Sequence, residues 1–129
     1  MTDTTAHSDL TGAFEAHEID PATFHHAQHV QVAFDLLNKY DFIDAASIYA
    51  KGIRILATNA GVPQKFNLTI TYAFMSLIAE RMAPCSHGDF AGFIAQNPDV
   101  MSKNALAKWY APEQLNTETA RRIFLLPAA

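Results

Sequence analysis

Three histidines, His25, His26 and His29, cluster at the start of a segment with helical apolar spacing. Imidazole has a reference pKa of about 6.5, so near neutrality it can give or take a proton, hydrogen-bond in either sense, or ligate a metal. Traced backwards from Leu37, Ala33 and Val30, the inward stripe reaches His29 and then His26. An imidazole in a buried stripe needs a polar partner. These two histidines are therefore expected to be a structural hydrogen-bonding pair or part of a site, with His25 on the surface.

Metal ligation is the first chemistry to weigh. His26 with His29, or His25 with His29, has the spacing to grip one ion from a single helix face. Zinc or iron needs at least three protein ligands, and no Glu-x-x-His motif or same-face carboxylate supplies the third. A metal protein would need a ligand from a partner chain, and no metal ligand is assigned. The second chemistry is small-molecule recognition. Asn67 and Thr71 lie one turn apart on a later apolar helix, sharing a face with Phe74 and Ile78. With His26 and His29 they would give a pocket between two helices a few convergent polar groups, walled by Phe34, Tyr72 and Phe74. The third reading is structural: His26 and His29 bond to Asn67, Thr71 or backbone groups across a helix interface and fix its register.

Weaker features surround these. Cys85 is a lone thiol two residues from His87, more easily a capped turn than a nucleophile pair. Arg121 and Arg122 lie on the last helix. Glycine-rich phosphate loops, Gly-x-Ser-x-Gly and Cys-x-x-Cys are absent, so no cofactor is expected.

The elements that must position these residues read as all-α. Residues 1–18 are polar with two isolated large apolars, Leu10 and Phe14, and suggest a flexible tail. Asp20-Pro21, or Thr23, starts a first long helix running to about Asn38. Asp41 caps a second, from Phe42 to Ala60, with Phe42, Ala46, Tyr49, Ile53 and Leu56 inward and Gly61 as its stop. A third covers about Gln64 to Met82 and is apolar nearly all round. Short helices follow, starting at Ser86-His87-Gly88-Asp89, Ser102, Pro112 and Thr117 and ending before Pro127. No alternating strand segment occurs. One helical domain, residues 19–127, is expected.

Composition narrows the partners. Half of the 129 residues are hydrophobic, 17% are charged, and the net charge is −4. Such a chain can build a core. It lacks the basic face that nucleic acid or an anionic membrane surface would require. No apolar run is long enough to span a bilayer, no signal peptide is evident, and one cysteine makes no internal disulfide. A cytoplasmic protein is expected. The apolar third helix suggests a homodimer.

The stretch Phe24-His25-His26-Ala27-Gln28-His29-Val30, followed by Ala33 and Leu37, resembles the Phe-x-His-x-x-His-Val motif of a family of short bacterial all-helical proteins with no assigned activity. That family also shows Tyr-His-x-Thr-x-Thr and an Ala-Arg-x-x-Phe ending. These correspond to Phe66-Asn67-Leu68-Thr69-Ile70-Thr71 and Ala120-Arg121-Arg122-Ile123-Phe124 here. The resemblance spans about residues 24–127. It selects His26, His29, Thr69, Thr71 and Arg121 as site residues. Asn67 replaces the family's histidine, which disfavours a three-histidine metal site. The expected function is thus a pocket for a polar or anionic metabolite, with His26, His29, Asn67, Thr69, Thr71 and Arg121 as ligand-binding residues. Catalysis is left open.

Overall fold

The computed structural model describes residues 6–84 and 89–127. It is helical throughout, with no strand among the described residues. The helices are α1 (Ala6–Glu15), α2 (His26–Lys39), α3 (Phe42–Asn59), α4 (Leu68–Met82), α5 (Phe90–Gln96), α6 (Pro112–Leu115) and α7 (Glu118–Arg122). Short 3-10 turns occupy Pro21–Thr23, Pro63–Lys65, Pro98–Met101 and Ala105–Lys108. None of the helices is long and apolar enough to cross a membrane.

The N-terminal segment departs from the expected tail. Residues 6–15 form α1, which packs along α2 and touches α3. Phe14 is buried, stacking on Phe24 and Tyr49 with ring centroids 5.8 and 5.9 Å away. It fits because α3 carries Gly52, whose missing side chain leaves room for the ring. Polar contacts lock the helix in place. Thr11 donates to Asp35 at 2.7 Å, and Glu15 accepts from Lys39 Nζ at 2.8 Å and from the Tyr40 hydroxyl at 2.6 Å. Residues 1–5 of that expected tail lie outside the described residues.

The α1 contact also widens the buried arc of α2. Val32 and Leu36 are fully buried, although the single inward stripe placed Leu37 there instead. A helix covered on two sides buries more than one stripe. The first long helix starts later than expected. Asp20 caps only a 3-10 turn, Phe24 then dives into the core, and α2 opens at His26 with His25 as its N-cap residue. The Gln28 side chain accepts from the His25 backbone N–H at 2.9 Å.

Asp41 caps α3 by accepting from the Asp44 N–H. The end of α3 is a Schellman turn. Gly61 has φ +79°, and the N–H groups of Gly61 and Val62 reach back to the Thr58 and Ala57 carbonyls. Phe42, expected inward, is exposed at the first turn of the helix, before α3 meets its neighbours.

Helix α4 is central. It contacts α2, α3, α7 and the 105–108 turn, and it buries Thr69, Thr71, Ala73, Phe74, Met75, Leu77 and Ile78. Its start also differs: Pro63–Lys65 is a separate 3-10 turn, and Asn67 caps α4 by accepting from the Ile70 N–H at 2.9 Å. Helix α5 is capped by Asp89 and packs Phe93 beside Phe34, centroids 5.0 Å apart. Arg81 on α4 holds Asp99 through two 2.8 Å hydrogen bonds, tying the 98–101 turn to the bundle. The expected Ser86 cap and the Cys85–His87 pair lie outside the described residues.

Candidate functional site

Four segments meet around one cleft of about 520 Å³. They are the start of α2, the middle of α3, the first turns of α4, and residues 102–106. The local signals that start two helices here also explain why the cleft has polar walls. The chain turns at Phe24 to begin α2, and at Asn67 to begin α4, so both N-terminal ends border it.

His26 stands at the first position of α2. Its Nε2 lies 3.1 Å from the Val100 carbonyl oxygen, which can only accept, so Nε2 carries the proton. Its ring packs against Phe74, centroids 5.6 Å apart. His29, one turn further, sits against Phe24 at 4.6 Å. Its Nδ1 lies 3.4 Å from the Tyr49 hydroxyl of α3. Burial, with the neighbouring imidazoles of His26 and His25 adding to it, pushes the His29 pKa down to about 4. Burial also drives the Tyr49 phenol well above its ordinary range. Both groups are therefore neutral at pH 7, and the hydrogen bond runs from the phenol O–H to a bare Nδ1 or from Nδ1–H to the phenol oxygen, according to the His29 tautomer.

Of the expected partners, a backbone group serves His26, while Asn67 and Thr71 are corrected by this geometry. Asn67 and Thr71 line the cleft, yet neither bonds to a histidine. Asn67 is occupied as the α4 cap, and its amide donates to the Leu115 carbonyl at 2.7 Å. Thr71 donates to the Asn67 carbonyl at 2.7 Å. Thr69 points away, fully buried beneath the C-terminal segment. It donates to the Ile123 carbonyl at 2.7 Å and accepts from the Leu125 N–H at 3.0 Å. Arg121 lies on α7, 3.5 Å from Glu118, and does not line the cleft. Phe34 and Tyr72, expected as walls, are elsewhere; Phe34 packs on Phe90 and Phe93. His25, although exposed, borders the cleft.

Residues that sequence reasoning passed over complete the lining. Tyr49 lies in the core stripe of α3, as its spacing predicts, and its phenolic tip also reaches the cleft. Lys65 and Lys103 stand at the rim, and Phe24, Phe66, Ile53 and Leu106 supply apolar wall. Among the described residues, no group of three or more His, Cys, Asp or Glu is placed to hold a metal ion. Comparison of the chain with protein-family models, with curated proteins and with solved structures finds no match.

Proposed function

We propose that this cleft is a small-molecule binding site in which His26 and His29 are the polar recognition groups. One observation carries the reading: each ring commits one nitrogen to the protein, His26 to a carbonyl and His29 to a phenol, at the wall of the same cleft. His26 has committed Nε2–H to Val100, so its Nδ1 is an acceptor. His29 has committed Nδ1 to Tyr49, and its Nε2 donates or accepts according to the tautomer. Two imidazoles in one largely apolar cleft suit an amide, a carboxyl or a hydroxyl group. With a pKa of about 4, His29 is a weak proton acceptor at neutral pH. That favours recognition over proton abstraction.

The test is a titration of the full chain with a panel of small amides, carboxylic acids and phosphate esters, followed by NMR. The expected result is shifts concentrated at His26, His29 and Phe74, abolished in a His26→Ala/His29→Ala variant that still folds. A panel that leaves these resonances unmoved at millimolar concentration overturns the reading. Both imidazoles already have protein partners, which favours a second reading in which they only brace the fold. On that reading the double variant loses about 1–3 kcal/mol for each partner stranded without a bond.

A homodimer has its own support. Trp109, Ile123, Phe124 and Leu126 are exposed near the C-terminal end of the chain. Trp109 and Phe124 share one shallow groove with Leu77 of α4. Light scattering on the wild type and on Trp109→Glu would show a dimer that the charge dissociates.

A further inference from the structure

We infer that the molecule this cleft accepts is a small anion with an apolar body, a carboxylate or phosphate monoester carrying an aromatic or aliphatic group. The inference rests on the cleft being a small-molecule site and deepens that reading. Its ground is charge. In the whole chain the 13 acidic residues outnumber the 9 Lys and Arg. Around the cleft the balance reverses: Lys65 and Lys103 line it beside three histidines, of which the buried His29 is neutral, and none of its lining residues is Asp or Glu.

Among the described residues, the ion pairs of Lys39, Arg81 and Arg121 involve neither Lys65 nor Lys103. Asp99, adjacent to the Val100 carbonyl that His26 uses, is already held by both arms of Arg81. It is thus a poor competitor for the lysines. The backbone adds to the field. Helices of 14 and 15 residues, α2 and α4, both begin at the cleft, and their N-terminal ends carry partial positive charge. Low-dielectric walls beside these charges focus the potential inward.

The rest of the lining sets the body of the ligand. Phe24, Ile53, Phe66, Ile70, Phe74 and Leu106 offer an apolar surface. A cleft of about 520 Å³ has room for a group well beyond an inorganic ion. A purely ionic guest would leave that surface wet.

The experiment titrates the full chain with four probes of similar size: benzoate, phenyl phosphate, neutral benzamide and cationic benzylamine. Binding is read from the His26, His29 and Thr71 resonances. Either anion, or both, is expected to bind about tenfold more tightly than benzylamine, with affinity falling as salt is added. A Lys65→Gln/Lys103→Gln variant, altered only at exposed positions, is expected to weaken anion binding roughly fivefold and leave benzamide unchanged. Benzamide or benzylamine binding as tightly as both anions overturns the anion assignment and leaves the small-molecule reading standing. Unchanged anion affinity in the lysine variant also overturns it. If none of the four probes moves these resonances, the reading of the cleft fails and this inference falls with it.

Discussion

Replacing Gly52 with alanine tests whether α1 is seated where the structure puts it. In the interior of an 18-residue helix, alanine is normally preferred over glycine by about 1 kcal/mol. At an open site the change would stabilise. Here the added Cβ would lie 2.5 Å from Phe14 Cε2 and overlap Cζ. The ring has no free side to swing toward, because Phe24 and Tyr49 stack against it. Forcing extra volume into such a contact destabilises by about 1–3 kcal/mol. Since the contact is well inside van der Waals distance, the net expectation is a loss of about 1–2 kcal/mol after the helix-propensity gain. Urea denaturation of wild type, Gly52→Ala, Phe14→Leu and the double variant measures it. The shorter leucine should make room for the methyl group, so the double variant should lose less than the two singles together. A Gly52→Ala protein with a raised urea midpoint and an unchanged slope would refute the packing of Phe14 on α3 and the docking of α1 with it.

Other outcomes follow from the same contacts. His29 has a folded pKa of about 4 against an unfolded value of about 6.5, so the unfolded chain takes up the extra proton as pH falls. No penalty exists above about pH 6.5. It grows on the way down and reaches about 3 kcal/mol near pH 4, and His29→Gln should flatten that part of a stability–pH profile. Identical profiles for the two proteins would contradict the burial of a neutral His29. Tyr49→Phe removes the hydroxyl that engages Nδ1, so the ¹⁵N shifts of His29 should change; unmoved shifts would rule out that hydrogen bond. Thr69→Val strands the Ile123 carbonyl and the Leu125 N–H, with an expected loss of about 1–3 kcal/mol and faster exchange of the Leu125 amide. Arg81→Met should lose only about 1 kcal/mol or less and lose less in high salt, because both side chains of the pair are partly exposed.

Much of this architecture is written locally. Asp41, Gly61 and Thr117 are capping signals that need no tertiary context, and each sits where the periodic apolar pattern starts or stops. The α1 helix has no such pattern. Its larger apolar, Phe14, becomes meaningful only beside Gly52, more than thirty positions along the chain. Asn67 is a readable signal, an N-cap residue directly before an apolar run, yet the sequence reading starts this helix at about Gln64. The start of α2 depends on Phe24 entering the core, which no short-range rule specifies. At the cleft, the inward direction of His26 and His29 followed from helical spacing alone. Their partners did not. One is a main-chain carbonyl at Val100, and a carbonyl leaves no trace in residue type. Lys65 and Lys103 gain their common role only from the folding of distant segments against each other.

The two hydrogen bonds of Thr69 span 54 and 56 positions in sequence. The Tyr110 hydroxyl and the Gln114 amide also reach forward, to the Leu125 and Leu126 carbonyls. During synthesis, at about 5–20 residues per second, Thr69 is made roughly 3–11 s before Leu125 exists. For that interval the first turn of the most buried helix holds a hydroxyl with neither of its native partners. Residues 123–126 thus act as a latch, and the helical bundle stays unfinished at its centre until they arrive.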